Sequence, residues 1–213
     1  MVCPSVYKYT QSVHVCQQKR FILFLCYTVS MTDYPIMTVQ QRMTYGEKNF
    51  LQYVKPMVQD AFPGTWYSCN GTELDTDHGV DFIIVNGAQV TTIAARCWMA
   101  YPQSHFALRW RRTGQIDRHL ELDNRLHAFK TGGLMTDWTI EGFHWEGRSY
   151  VAAIPTKKLF AHVDKFYDCL PTFELFNPNK DSVFFKRVPF LRVHDDVIKF
   201  IGPCPPVNVS SCP

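Results

Sequence analysis

The sequence predicts a mixed domain, α+β or α/β, in which a central mixed β-sheet is flanked by helices. Three observations carry that prediction. An apolar pattern of helical period opens the folded part, a β-rich hairpin signal at Asn86-Gly87 follows it, and short strand-like and helix-like runs then alternate. Hydrophobic residues make up 46% of the 213-residue chain and aromatics 15%, which is ample apolar surface to offset the entropy of ordering one core.

From Thr44 to Phe62, apolar Phe50, Leu51, Val54, Met57, Val58 and Phe62 fall on one face of a helix. Pro56 predicts a kink there, because proline lacks a backbone donor, and Pro63-Gly64 ends the run. Trp66 to Cys69 reads as a short strand, and Asn70 to Gly79 as an acid-rich turn. Val80 to Val85 and Gln89 to Trp98 are β-rich runs on either side of Asn86-Gly87, whose residues tolerate the positive φ of a tight hairpin turn. Phe106 to Arg112 alternates, predicting Phe106, Leu108 and Trp110 in the core with Arg109 and Arg111 on the other side. A second helix is expected over Ile116 to Phe129, stopped by Gly132-Gly133. Strands follow at Trp138 to Trp145 and Tyr150 to Ile154, then a short helix over Thr156 to Asp164, then strands near Val183 to Val188 and Val197 to Ile201.

This places one domain over residues 44–202, an N-terminal extension over 1–43 and a loose tail over 203–213. Lys19-Arg20 followed by the apolar run Phe21 to Val29 is far too short for the ~20 residues that span a bilayer. No small-residue cleavage site follows it, so a start at Met31 competes with a signal peptide as its explanation. No membrane partner is expected. Of the eight cysteines only Cys69, Cys97 and Cys169 fall within the domain, without metal-site spacing, and they read as buried free thiols in a reducing, cytoplasmic setting. A formal charge of +3 is too small to announce a nucleic-acid binder by itself. The clustering of Arg96, Arg109, Arg111, Arg112 and Arg118, interleaved with Trp98, Tyr101 and Trp110, argues more directly for a polyanionic partner. No Walker loop, dinucleotide glycine fingerprint, nucleophile elbow or zincin helix is present.

The order of helix, strand, acid-bearing hairpin, basic strand, helix and strand resembles the PD-(D/E)xK nuclease superfamily, in particular small phage-type members. The residues that carry the resemblance are Gly79-Val80-Asp81-Phe82-Ile83-Ile84-Val85, then Thr92-Ile93-Ala94-Ala95-Arg96, with Glu47 on the preceding helix. It implies a restriction-endonuclease-like core and a metal-dependent phosphodiesterase acting on DNA, in phage or mobile-element DNA processing, within a bacterial or phage-infected cell. It further implies Mg²⁺ or Mn²⁺ held by Asp81, with Glu47 as an accessory ligand and Arg96 in the place of the family's lysine. Such chemistry needs hard carboxylate oxygens around the cation and a positive charge near the developing negative one.

The sequence departs from the family where the second carboxylate belongs, because Ala94 stands there. Either Glu47, Asp75 or Asp77 supplies that ligand, or the nuclease is degenerate and a non-catalytic phage accessory or structural interaction protein retains its fold. Structural roles are also open. Asp81 can simply end a turn, Asp75 and Asp77 can be solvated loop acids, Glu47 can complement a helix dipole, and Arg96 can bridge to Asp81. Oligomeric state is not legible in the sequence.

Overall fold

The computed structural model describes residues 39–112, 121–176 and 182–203. Contacts divide the chain into Met1–Pro35 and Ile36–Pro213, and all described residues belong to the second unit. Arg118, the targeting-like segment and the greater part of the two expected tails, residues 1–38 and 204–213, lie outside the described residues, whereas 39–43 belong to the first helix and Pro203 to the last strand. The architecture is mixed α+β.

The first helix starts before the predicted Thr44. It runs as α1 over Val39–Asn49, tightens into one π-helical segment at Phe50–Val54, and ends as α2 over Lys55–Val58. The predicted disturbance at Pro56 therefore takes the form of a π turn, closed by the Lys55 N–H donating to the Phe50 carbonyl. Pro56 has no N–H to continue the regular ladder. The turn pushes Val54 onto the sheet at Gly142, where a Cβ would stand 2.2 Å from Val54 Cγ2, so only glycine permits this approach.

Strand β1 (Thr65–Ser68) is followed by a polar segment that contains a short helix, α3 (Glu73–Thr76), where the sequence suggested only a turn. Next come β2 (Phe82–Asn86) and β3 (Gln89–Trp98), paired as the predicted hairpin. Asn86 pairs with Gln89, so the two-residue loop is Gly87-Ala88 rather than Asn86-Gly87, with Gly87 at φ 61°. β4 (His105–Arg112) precedes α4 (Glu121–Thr131), which ends at Gly132 with φ 79°. β5 (Trp138–Trp145), β6 (Arg148–Pro155) and α5 (Thr156–Phe166) follow as expected. β7 (Thr172–Phe176) was not predicted, whereas β8 (Ser182–Pro189) and β9 (Ile198–Pro203) were.

The strands form two sheets. A six-stranded mixed sheet has the order β1-β2-β3-β5-β6-β9, antiparallel throughout except where β3 and β5 run parallel. β4 leaves it and pairs with β8 in a separate three-stranded sheet, β4-β8-β7, with a bulge between Arg109 and Arg111. That bulge breaks the predicted alternation of β4. Phe106, Ala107 and Leu108 are all buried, and Trp110 is only half-buried, lying over Lys186.

Two apolar clusters cover the two faces of the large sheet. Behind it, Phe50, Val54 and Val58 pack on Phe82, Ile84, Ile93, Ile140, Val151 and Ala153. In front, Leu122, Leu126, Leu159, Phe160, Phe106 and Val188 gather around Ala152 and Ile154. The continuous apolar run of β6 follows from burial on both faces. Cys69 is buried and Cys97 half-buried, and burial raises both thiols, Cys97 to about 12, so neither is a reactive thiolate. Cys169 departs from expectation in being exposed, in the 3₁₀ turn Tyr167–Cys169 that follows α5. Among the described residues no helix is long and apolar enough to cross a membrane.

Candidate functional site

Strand alternation decides which groups reach the front face. Phe82 and Ile84 of β2, and Ile93, Ala95 and Cys97 of β3, belong to the rear cluster. Asp81, Ala94, Arg96 and Trp98 therefore face forward. On β5, Ile140 points to the rear and Glu141 to the front, in register with Arg96 across the parallel pair. Asp81 enters from the turn that contains Gly79, whose φ of 62° favours glycine. Its N–H donates to Ile93 at 2.8 Å, and its Oδ2 accepts the Ala95 N–H at 2.7 Å. Burial pushes its carboxyl up to about 7, against the pull of that N–H, with Asp75 and Glu121 adding to the rise.

α4 and β4 close over this face and bring a carboxylate absent from the sequence-based set. Glu121 receives Arg109 Nε at 2.5 Å on Oε2, with Arg125 Nη1 at 3.8 Å and Arg96 Nη2 at 4.0 Å from Oε1. Burial works to raise the Glu121 carboxyl, but Arg109, Arg96 and Arg125 together hold it below the usual range. Arg125 is itself only 7% exposed, with its guanidinium 4.9 Å above the Phe160 ring.

Arg96 and Glu141 form a second ionic feature. Arg96 Nη1 donates to the Ala107 carbonyl at 2.7 Å, and the Ala107 N–H donates to Glu141 Oε2 at 3.2 Å. Trp98 Nε1 donates to Glu141 Oε1. The Arg96 guanidinium lies 5.1 Å from the Phe185 ring centroid and 5.8 Å from that of Trp98. One arginine and one glutamate thus grip both polar groups of a single peptide residue of β4 and tie the small sheet to the large one. Glu141 is 2% exposed, and burial raises its carboxyl to about 7 against the opposing pull of Arg96, Trp98 and Ala107.

Of the sequence-based candidates, Asp81, Arg96, Arg109 and Asp75 come together. Asp75 lies within electrostatic reach of Asp81 and accepts the Gly71 N–H at 2.9 Å. Glu47 rides on the rear helix and accepts Asn70 Nδ2 at 2.9 Å. Asp77 ends α3, its N–H donating to Glu73. Neither figures among the groups that act on Asp81. The bridging role open to Arg96 is directed at β4 instead of Asp81. Arg111 and Arg112 belong to β4, with backbone partners Phe184 and Val183. Glu121, Arg125 and Glu141 were missed. Glu141 alone carried a usable signal, a carboxylate in the middle of an apolar strand.

The arrangement does not fit a resident Mg²⁺ or Mn²⁺. A hard cation needs several carboxylate oxygens free to face it, but guanidinium groups surround those of Glu121 and a peptide N–H occupies one of Asp81. Among the described residues no group of three His, Cys, Asp or Glu side chains is placed to hold a metal ion. What the centre offers is a set of guanidinium donors around half-buried acids, which suits the recognition of oxyanions. Comparison with family models, with curated proteins and with solved structures finds no match for this chain.

Proposed function

We propose that this chain is a nucleic-acid-handling protein with a nuclease-like core, whose centre binds the phosphate backbone without cutting it. The observation that carries this reading is the convergence of Arg96, Arg109 and Arg125 on one face of the sheet, around a Glu121 carboxylate that is already neutralised. The topology supports the nuclease-like part. A leading helix, three antiparallel strands β1-β2-β3, the helix α4 and a fourth strand β5 parallel to β3 put Asp81, just before β2, and Arg96 of β3 on one face. Ala94 leaves the family's second carboxylate position empty of oxygen ligands. DNA is the expected polyanion.

A metal-dependent phosphodiesterase is the second reading. It is favoured by the reach of Asp75 and of Glu121 to Asp81, two acids that act electrostatically on that carboxyl. One experiment separates the two. Plasmid and single-stranded DNA are incubated with the full chain and Mg²⁺ or Mn²⁺, while binding is measured across a salt series. Salt-sensitive binding without cleavage supports the binding reading. Metal-dependent cutting that Asp81→Ala abolishes replaces it with the second, and absence of both binding and cutting removes nucleic acid as the partner.

A further inference from the structure

Arg125 carries donors into the interior that no described residue receives. Its Nη1 faces Glu121, but Nε and Nη2 are buried and have no hydrogen-bond partner among the described residues. These two N–H groups lie on one edge of the planar guanidinium, the fork that matches two oxygens of a single oxyanion. Buried donors are nearly always satisfied, so an entire orphaned edge marks a position where an acceptor belongs. The Gly79 turn packs beside this side chain: a Cβ there would lie 3.2 Å from Arg125 Cδ, 3.4 Å from Nε and 3.6 Å from Cζ, and its absence leaves room next to the guanidinium. The charge nearby is suited to an anion, because Arg96, Arg109 and Arg125 share the single carboxylate of Glu121, leaving Asp81 and the more distant Asp75 as the other acids.

We propose that the Nε–Nη2 edge of Arg125 is the receiving edge of a phosphate site, taking two non-bridging oxygens of one phosphate group admitted past the Gly79 turn. The source of the phosphate is free phosphate or a nucleic-acid phosphate. The second source rests on the nucleic-acid reading above, and the receiving edge does not.

The test uses the full chain at constant ionic strength and follows the ¹⁵Nε–H resonance of Arg125 while inorganic phosphate, acetate or short oligonucleotides with and without a 5′-phosphate are added. Millimolar phosphate is expected to shift that resonance, and Arg125→Lys, which keeps the charge but lacks the fork, to weaken phosphate binding about tenfold or more. Arg125→Gln serves as the second variant, and thermal melts establish that each folds. If neither does, the wild-type spectrum decides alone. An unmoved Arg125 resonance, or equal phosphate affinity in a folded Arg125→Lys variant, overturns the site. A response to acetate equal to that to phosphate overturns the assignment to phosphate. A shift with inorganic phosphate but with no oligonucleotide keeps the site and overturns its nucleic-acid source.

Discussion

The two faces of the large sheet are built on opposite principles. The rear face is dry and apolar, with Phe50, Val54 and Val58 of the first helix set onto Phe82, Ile84, Ile93 and Ile140. The front face mixes an apolar cluster with Asp81, Arg96, Glu121, Arg125 and Glu141, of which Asp81, Arg96, Glu121 and Glu141 are held by polar partners from other elements. Dispersion and the hydrophobic effect hold the rear, and each contact there is individually replaceable by another apolar group of similar volume. At the front each charge is tolerable only while its partner is present. The rear is therefore a foundation insensitive to pH and salt, and the front a place where stability is traded for polar groups in fixed positions.

The sharpest way to break the contrast is Glu141→Ala. It removes the acceptor for the buried Trp98 and Ala107 N–H groups and a carboxylate within electrostatic reach of Arg96, and a loss of about 2–4 kcal/mol is expected from chemical denaturation. Glu141→Gln keeps an acceptor and is expected to lose less than half of that. Equal losses in the two variants would mean that volume, not charge, is what the front requires at this position.

On the rear, Gly142→Ala introduces a methyl group 2.2 Å from Val54 Cγ2, and destabilisation of about 1–3 kcal/mol is expected from overpacking. Pairing it with Val54→Ala makes room and is expected to recover part of the loss. Independence of the two changes would show that Val54 does not meet the sheet at this glycine.

The faces should also differ in their response to pH. Asp81 and Glu141 both titrate near 7 in the folded chain, well above ordinary carboxylates at about 4. Between those values the folded state binds more protons than the unfolded one, so these two groups make stability rise as pH falls from about 7 to 4. Glu121, held below its usual range, acts in the other direction: its contribution is present above its unfolded value and disappears as pH falls through the folded one. Maximum stability is accordingly expected on the acidic side of neutrality, with an upper bound of about 5 kcal/mol on the gain between pH 7.5 and 5. Asp81→Asn retains an acceptor for the Ala95 N–H and is expected to flatten this slope, which denaturation at a series of pH values measures directly.

How much of this was legible in the sequence follows the same division. Helical periodicity through Phe50, Val54 and Val58 and the paired β-rich runs around Gly87 specified the rear face, because local patterning and burial agree there. β7 is hard to read because, although Thr172-Phe173-Glu174-Leu175 alternates, the run is only five residues long between Pro171 and the turn-type pair Asn177-Pro178 of the sequence. The departure of β4 to a second sheet was equally hidden, because pairing with β8 is a long-range choice that no local signal records. Asp81 and Arg96 could be singled out from a hairpin motif, but Glu121 could not. An acid in the first turn of a helix is ordinary, and only the fold brings it to Arg96 and Arg109.

The smallest expected effect on stability falls on the outermost member of the ionic cluster. Arg109 has a side chain 49% exposed and its charge pair with Glu121 is open to solvent, so Arg109→Ala is expected to cost less than about 1 kcal/mol in denaturation. If the front face grips a phosphate backbone, the same variant weakens DNA binding several-fold and lowers the salt dependence by about one released counterion. The two measurements pull apart what Glu141→Ala cannot, since that variant disturbs fold and surface together. A variant that melts like the wild type and binds with an unchanged salt slope would leave Arg109 as a partner of Glu121 and nothing more.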